Sequence, residues 1–373
     1  VVYDLRVLTP AMHGIARYAL GLLRGIVAAR EELSAGLPGG LAITALIPRA
    51  EDAGLLPQDP RLEVAVCDLP PYGLKAQLKL PGVLKRLGTD LYHCPTYAPP
   101  VAWRGPMLMS VHDLIHLRFP KDHSFKHRLF YDLVVGPAAR KSRAVFTVSQ
   151  HSRKDLIELL GVPPRRVEVT SCGVDPAFSP PGPEALAQAA YQGLPPRYIL
   201  GVGNPRPHKN LPALVEAHRL LRRELAASRE EVPPLVLVGV KEGELPGLEP
   251  DRGLLLRPSL DDADLALAYG AAEMVVVPSL YEGFGLPALE ALACAAPVVA
   301  ARRASLPEVV GEAGLLCEPD SASLARAMAR VLTEPGLAEQ MRMAGPRQAA
   351  GFTWDKAAAS VLAVYARAPR GLR

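Results

Sequence analysis

Asparagine is almost missing from this 373-residue chain: it occurs only at Asn204 and Asn210, within one short segment. Proline, arginine, leucine and alanine abound instead. Thermophilic proteins avoid thermolabile amides and stiffen loops with proline, so the bias suggests a thermophilic origin, although GC-rich coding gives a similar one. Cysteine is also sparse. Cys67, Cys94, Cys172, Cys294 and Cys317 are odd in number and lack C-x-x-C spacing. A disulfide framework or zinc ribbon is therefore not expected, and a reducing cytoplasm fits. No apolar run approaches the ~18 residues of a membrane-spanning helix. No signal peptide is expected either; Val1 begins mid-strand, as if a few native residues were lost. Gly201-x-Gly203 has no third glycine at the spacing of a dinucleotide fingerprint.

The length exceeds what one core usually supports, so two domains are expected. Net charge is +4, unevenly spread: residues 1–180 carry 22 Lys and Arg against 16 Asp and Glu, and the rest 20 against 22. The basic half suits an acidic acceptor or a membrane surface; no nucleic-acid partner is indicated. Strand patterns at Val1–Val7, Leu41–Ile47, Leu62–Cys67, Leu91–His93, Met107–Val111 and Ala144–Val148 alternate with helical ones at Tyr18–Ala29 and Lys154–Leu160. That alternation predicts a doubly wound parallel sheet. A proline-rich linker, Asp175–Arg197, holds a short helical pattern at Pro183–Tyr191. A second α/β set starts at Tyr198–Gly203 and runs through Leu211–Leu225, Leu235–Val240, Leu254–Leu256, Asp262–Ala271, Met274–Val277, Leu286–Cys294, Val298–Ala300 and Ser323–Leu332. Trp354–Ala368 reads as a last helix. The expected domains are 1–180, 181–352 and a terminal helix within 353–373. Ligands of such sheets bind beyond the strand C-termini.

Pro278–Glu290, PSLYEGFGLPALE, carries most of the chemistry. It follows the valine run Met274–Val277, a strand pattern covered on both faces. Gly283 and Gly285 relax the loop, and Pro287 opens a helix. A strand–loop–helix aims backbone N–H groups and a positive helix end at an anion. Glu282 in the loop and Glu290 in the first turn add carboxylates that grip vicinal hydroxyls. Phosphate donors flanked by acids suit a sugar attached to a nucleoside diphosphate. In Tyr198–Asn210, YILGVGNPRPHKN, a strand enters a loop with two cations, Arg206 and Lys209. Fixed cations there would stabilise the charge developing on a leaving nucleoside diphosphate. Asp262 and Asp264 form a D-x-D that better fits capping and dipole complementation of the next helix, so no obligatory metal is expected.

These residues resemble the E-x7-E motif of the retaining GT-B glycosyltransferases of family 4 type (group 1), with bacterial polysaccharide mannosyltransferases nearest in character. The resemblance continues through Cys294–Leu316. It implies an α/β GT-B fold, two Rossmann-like domains facing a central cleft, and a last helix crossing back to the first domain. Closure of the domains on donor binding is expected. The donor would lie on the C-terminal domain, with Gly203, Asn204, Arg206 and Lys209 in the first loop and Glu282, Gly283, Phe284, Gly285, Leu286 and Glu290 in the second. Lys209 matches the family lysine. Asn204 stands where the family has arginine, leaving Arg206 to supply the guanidinium. Leu260 occupies a position used for backbone contact with the nucleobase. Gly14, in HGIARY (His13–Tyr18), resembles a glycine approaching the donor phosphate. His112, in VHDLIHLRFP, matches an active-site histidine, with Asp113 placed to fix its tautomer. His93, Tyr97, His116 and Arg118 are weaker acceptor-side candidates; for His93 and Tyr97 a structural role is favoured.

The reading is a cytoplasmic, metal-independent, retaining hexosyltransferase of polysaccharide biosynthesis that uses no cofactor. Mannose from GDP-mannose is the leading donor, UDP-glucose or UDP-GlcNAc the alternative, and the acceptor a glycan or lipid-linked glycan. A non-catalytic sugar-nucleotide-binding subunit is the alternative of another class, favoured by Asn204. The basic stretches Leu74–Leu87 and Lys121–Arg143 read as solvated helix faces, with peripheral contact to anionic lipid as their other use.

Overall fold

The computed structural model describes residues 1–9, 14–34, 40–120, 125–189, 193–226, 231–245 and 253–367. His13, Lys121, Tyr191 and Ala368, named above, lie outside them. The chain forms two compact units, Val1–Gly173 with Thr353–Arg373, and Val174–Phe352.

The first unit is built on seven parallel strands: β1 (Val2–Asp4), β2 (Ile43–Ile47), β3 (Leu62–Val66), β4 (Tyr92–Cys94), β5 (Met107–Ser110), β6 (Ala144–Thr147) and β7 (Val167–Val169). They lie in the order β3-β2-β1-β4-β5-β6-β7. Every residue of β4, β5 and β6 is buried, as expected where both faces are covered and the strands read as unbroken apolar runs. β3 at the edge buries Leu62 and exposes Glu63 and Val64. The expected strand Val1–Val7 is shorter because the chain folds back on itself. The Arg6 backbone N–H and Nε both donate to Asp4 Oδ1, at 3.1 and 2.9 Å. Arg6 also donates to the carbonyls of Leu69 and Pro70, so a nearly inaccessible ion pair is satisfied on all sides, as buried charges must be.

The helix Trp354–Arg367 belongs to this first unit and lies along the helix Gly14–Ser34. Glycines make the approach possible: a Cβ on Gly25 would fall 2.6 Å from the Trp354 carbonyl oxygen, and one on Gly173 would fall 2.3 Å from its nitrogen.

The second unit has six parallel strands: β8 (Ile199–Val202), β9 (Leu235–Val238), β10 (Leu254–Arg257), β11 (Met274–Val277), β12 (Val298–Ala301) and β13 (Leu315–Cys317). Their order is β10-β9-β8-β11-β12-β13. The order reverses between β8 and β11, and in the first unit between β1 and β4. In doubly wound sheets ligands bind at the C-terminal ends of strands flanking such a switch point.

Candidate active site

In the second unit the chain leaves β8 at Gly203 and β11 at Pro278, so the two motif loops flank the switch point. They are tied together directly. The Leu280 N–H donates to the His208 carbonyl at 2.8 Å. Asn210 adopts the left-handed conformation at φ 56°, which asparagine tolerates better than most residues. Its amide donates both hydrogens across the site, to Pro278 O at 3.1 Å and Pro319 O at 2.8 Å. Lys209 Nζ then meets both carboxylate oxygens of Glu282, at 2.7 and 3.0 Å. Their side chains are only 16% and 11% exposed, so solvent screens the pair weakly. Ser279 Oγ donates to Glu282 Oε1 at 2.7 Å. Ser305, beyond β12, donates to the carbonyls of Glu282 and Phe284 and so fixes the loop from below.

Gly285 turns this loop into the helix Leu286–Ala293 at φ 107°. That conformation favours glycine, and a Cβ would fall 2.9 Å from Leu306 Cδ2. No side chain caps the helix, so its first N–H groups have no side-chain acceptor. Phe284 is buried, its ring edge-on to Phe352. Glu290 lies in the second turn of the helix, where the sequence suggested the first. It is buried and accepts a hydrogen bond from Tyr269 Oη at 3.1 Å. Burial, then the nearby Glu290 charge, pushes the Cys294 thiol up to about 12. Gly203 and Gly283 are half-buried, whereas Asn204 and Arg206 are exposed. Leu260 is half-buried just before Asp261, which accepts from the Asp264 N–H and caps the helix Asp262–Ala271. The cap is therefore Asp261, and Asp262 and Asp264 sit in the first turn.

In the first unit Gly14 is exposed at the start of its helix. His112 follows β5 and donates Nε2–H to Pro95 O, just beyond β4, at 3.1 Å. The rings of Tyr18 and His112 form a T-shaped pair, 4.4 Å between centroids. Tyr18 is itself buried, which raises its phenol to about 12. Asp113 Oδ1 accepts the Ile115 N–H at 3.1 Å. Tyr97 stacks between Tyr72 and Tyr131, and His116 stacks on His127 and bonds Tyr131 Oη. Arg118 pairs with the fully buried Asp155 and with Glu158. His93 is wholly buried, with Nδ1 2.7 Å from Tyr365 Oη; burial lowers its pKa to about 3. That suits the structural role favoured for it.

Two doubly wound parallel-sheet units, each with a switch point, are the architecture of the GT-B glycosyltransferases. The Glycosyltransferase Family 4 model matches residues 12–178 and the Glycosyl transferases group 1 model residues 196–334. Escherichia coli O-antigen chain mannosyltransferase B is 29% identical over 94% of this chain and 95% of its own. Serotype-specific mannosyltransferase WbdA of the same species is 30% identical over 72% of this chain, which spans only 34% of that protein. The solved structure of Anabaena Alr3699/HepE in complex with UDP and glucose superposes with a TM-score of 0.72 at 18% identity, covering 98% of this chain and 99% of that one. The chain belongs to the family 4, group 1 type glycosyltransferases. None of its described helices is long and apolar enough to cross a membrane.

Proposed function

We propose that the protein moves mannose from GDP-mannose to a glycan or lipid-linked glycan in polysaccharide biosynthesis, retaining the anomeric configuration and using no metal. The observation that carries this reading is the Lys209–Glu282 pair at 2.7 Å beside an uncapped helix start. A donor's diphosphate can take over Lys209 as its counter-ion, and Glu282 is then released to grip sugar hydroxyls. Arg206, exposed on the same loop, adds a second cation. Backbone N–H groups at Gly285 and Leu286 serve the phosphates, Leu260 the base and Glu290 the ribose. His112 serves the transferred sugar or the acceptor hydroxyl. In the step itself the bond from C1 to the leaving phosphate oxygen breaks, and one from C1 to the acceptor oxygen forms on the same face. The acceptor's proton passes to the leaving phosphate, which the cations stabilise as its charge grows.

The mannosyltransferase relatives support the sugar. A UDP-glucose donor is the second reading, favoured by the fold neighbour solved with UDP and glucose. Exposed Leu74, Leu78 and Phe125, beside Lys75, Lys79 and Lys126, support peripheral contact with an anionic membrane. The test is turnover of GDP-mannose, UDP-glucose and UDP-GlcNAc by the full chain, with the product anomer assigned by NMR. Transfer with an inverted product, or unchanged transfer by Glu282→Ala, would overturn the mechanism.

A further inference from the structure

The first unit holds a hollow of about 710 Å³ that the transfer reaction does not use. Its wall includes Met107 and Ala144, the first residues of β5 and β6. This is the N-terminal edge of the sheet. His112 lies five residues further along the β5 path, about 16 Å away at ~3.3 Å per residue. Six cations line the hollow, Arg104, Lys141, Arg143, Arg165, Arg166 and Arg367, against a single carboxylate, Glu168. Three of the six are held by the protein. Arg367 pairs with Glu168 at 3.1 Å, Arg166 donates to Arg140 O at 2.6 Å, and Lys141 donates to Trp103 O. Arg104, Arg143 and Arg165 are exposed and, among the described residues, have no side-chain partner. Elsewhere exposed arginines do find carboxylates, as in Arg61–Asp59, Arg303–Glu318 and Arg330–Glu334.

We propose that this hollow binds an anion bearing two or more phosphate charges. Gathering six like charges around one hollow is self-repulsive, and an anion offsets that cost. Burial and then the Arg104 charge lower the Lys141 pKa, a sign of the crowding. Guanidinium forks match phosphate oxygens in pairs, and a single carboxylate would leave most of them unanswered. The volume falls within the ~300–1,000 Å³ of ordinary ligand sites. The phosphates could belong to a soluble oligophosphate or to lipid headgroups.

Tripolyphosphate is titrated calorimetrically into the full chain, into Lys209→Ala and into Arg143→Ser/Arg165→Ser. The expected wild-type isotherm shows two sites. Lys209→Ala loses one, and the double arginine variant weakens the other at least tenfold while keeping its melting temperature and its transfer activity. A second arm floats the same proteins with phosphatidylglycerol or phosphatidylcholine vesicles. Loss of phosphatidylglycerol flotation in the arginine variant, without an arginine-dependent tripolyphosphate site, assigns the phosphates to headgroups and also supports the proposal. It is overturned if the arginine variant matches wild type in both arms, or if Lys209→Ala alone abolishes all tripolyphosphate binding and flotation is arginine-independent.

Discussion

Lys209 and Glu282 neutralise each other in a place where water reaches little of either. Lys209→Ala should therefore weaken a nucleoside diphosphate by about 1.5–3 kcal/mol, the worth of one charge-assisted contact, and leave the nucleoside unaffected. Calorimetry with both ligands checks this; equal losses would place the lysine elsewhere. Both residues were legible in the sequence, because loop motifs put charges at fixed offsets from strand ends. Ser279, Ser305 and the Asn210 amide were not, since their partners are set by tertiary approach. Pro319, which accepts from Asn210, is 109 residues away in the chain. The rarity of asparagine was the one signal pointing to that position. Burial of His93 predicts a pH response for the first unit. Its pKa falls from 6.5 to about 3 through burial, so below pH 6.5 the unfolded chain takes up a proton that the folded chain refuses. Its contribution is complete above pH 6.5 and drains at about 1.4 kcal/mol per pH unit as pH falls. Urea unfolding at pH 7 and pH 5 should show about 2 kcal/mol more loss in wild type than in His93→Gln. Matching losses would remove His93 as the cause.

Elements buried on both faces were the readable ones. Met274–Val277 announced itself as an unbroken valine run and is a strand with those limits. The three-residue strands β7 and β13 carry too few residues for any period to emerge. The helix Leu337–Ala349 was missed too, and it contains Pro346, a residue that argues against a helix interior. Packing between helices was equally hidden, because it depends on which glycines face which neighbour. Gly25→Ala makes the point testable. Helix propensity favours alanine by up to ~1 kcal/mol. The new Cβ, however, would sit 2.6 Å from the Trp354 carbonyl and 3.0 Å from Ala358 Cβ. A backbone carbonyl cannot rotate aside as a flexible side chain would, and overpacking of this kind costs about 1–3 kcal/mol. The net sign is destabilising, so the melting temperature should fall by several degrees. A rise would mean that the two helices lie further apart.

Across the whole chain, charge and chemistry divide by unit. Residues 1–173 and 353–373 carry 26 Lys and Arg against 16 Asp and Glu, whereas the loops that suit a diphosphate lie in 174–352, with 16 against 22. A nucleoside diphosphate that binds only the folded second unit stabilises it by mass action, about 2.7 kcal/mol at a hundredfold excess over Kd. GDP at that excess should raise the melting temperature, and more than UDP does at the same concentration. If Lys209, Arg206 and the helix start serve as the counter-charge, as proposed, the increase should be the same in excess EDTA. Hydrogen exchange should then slow in residues 203–210 and 278–290, where the two loops are already laced together through Leu280 and Asn210. A shift that vanishes in EDTA and returns with Mg²⁺ would transfer the counter-charge to a metal and turn attention to Asp262 and Asp264. Protection confined to the first unit would instead move the donor off the loops proposed to hold it.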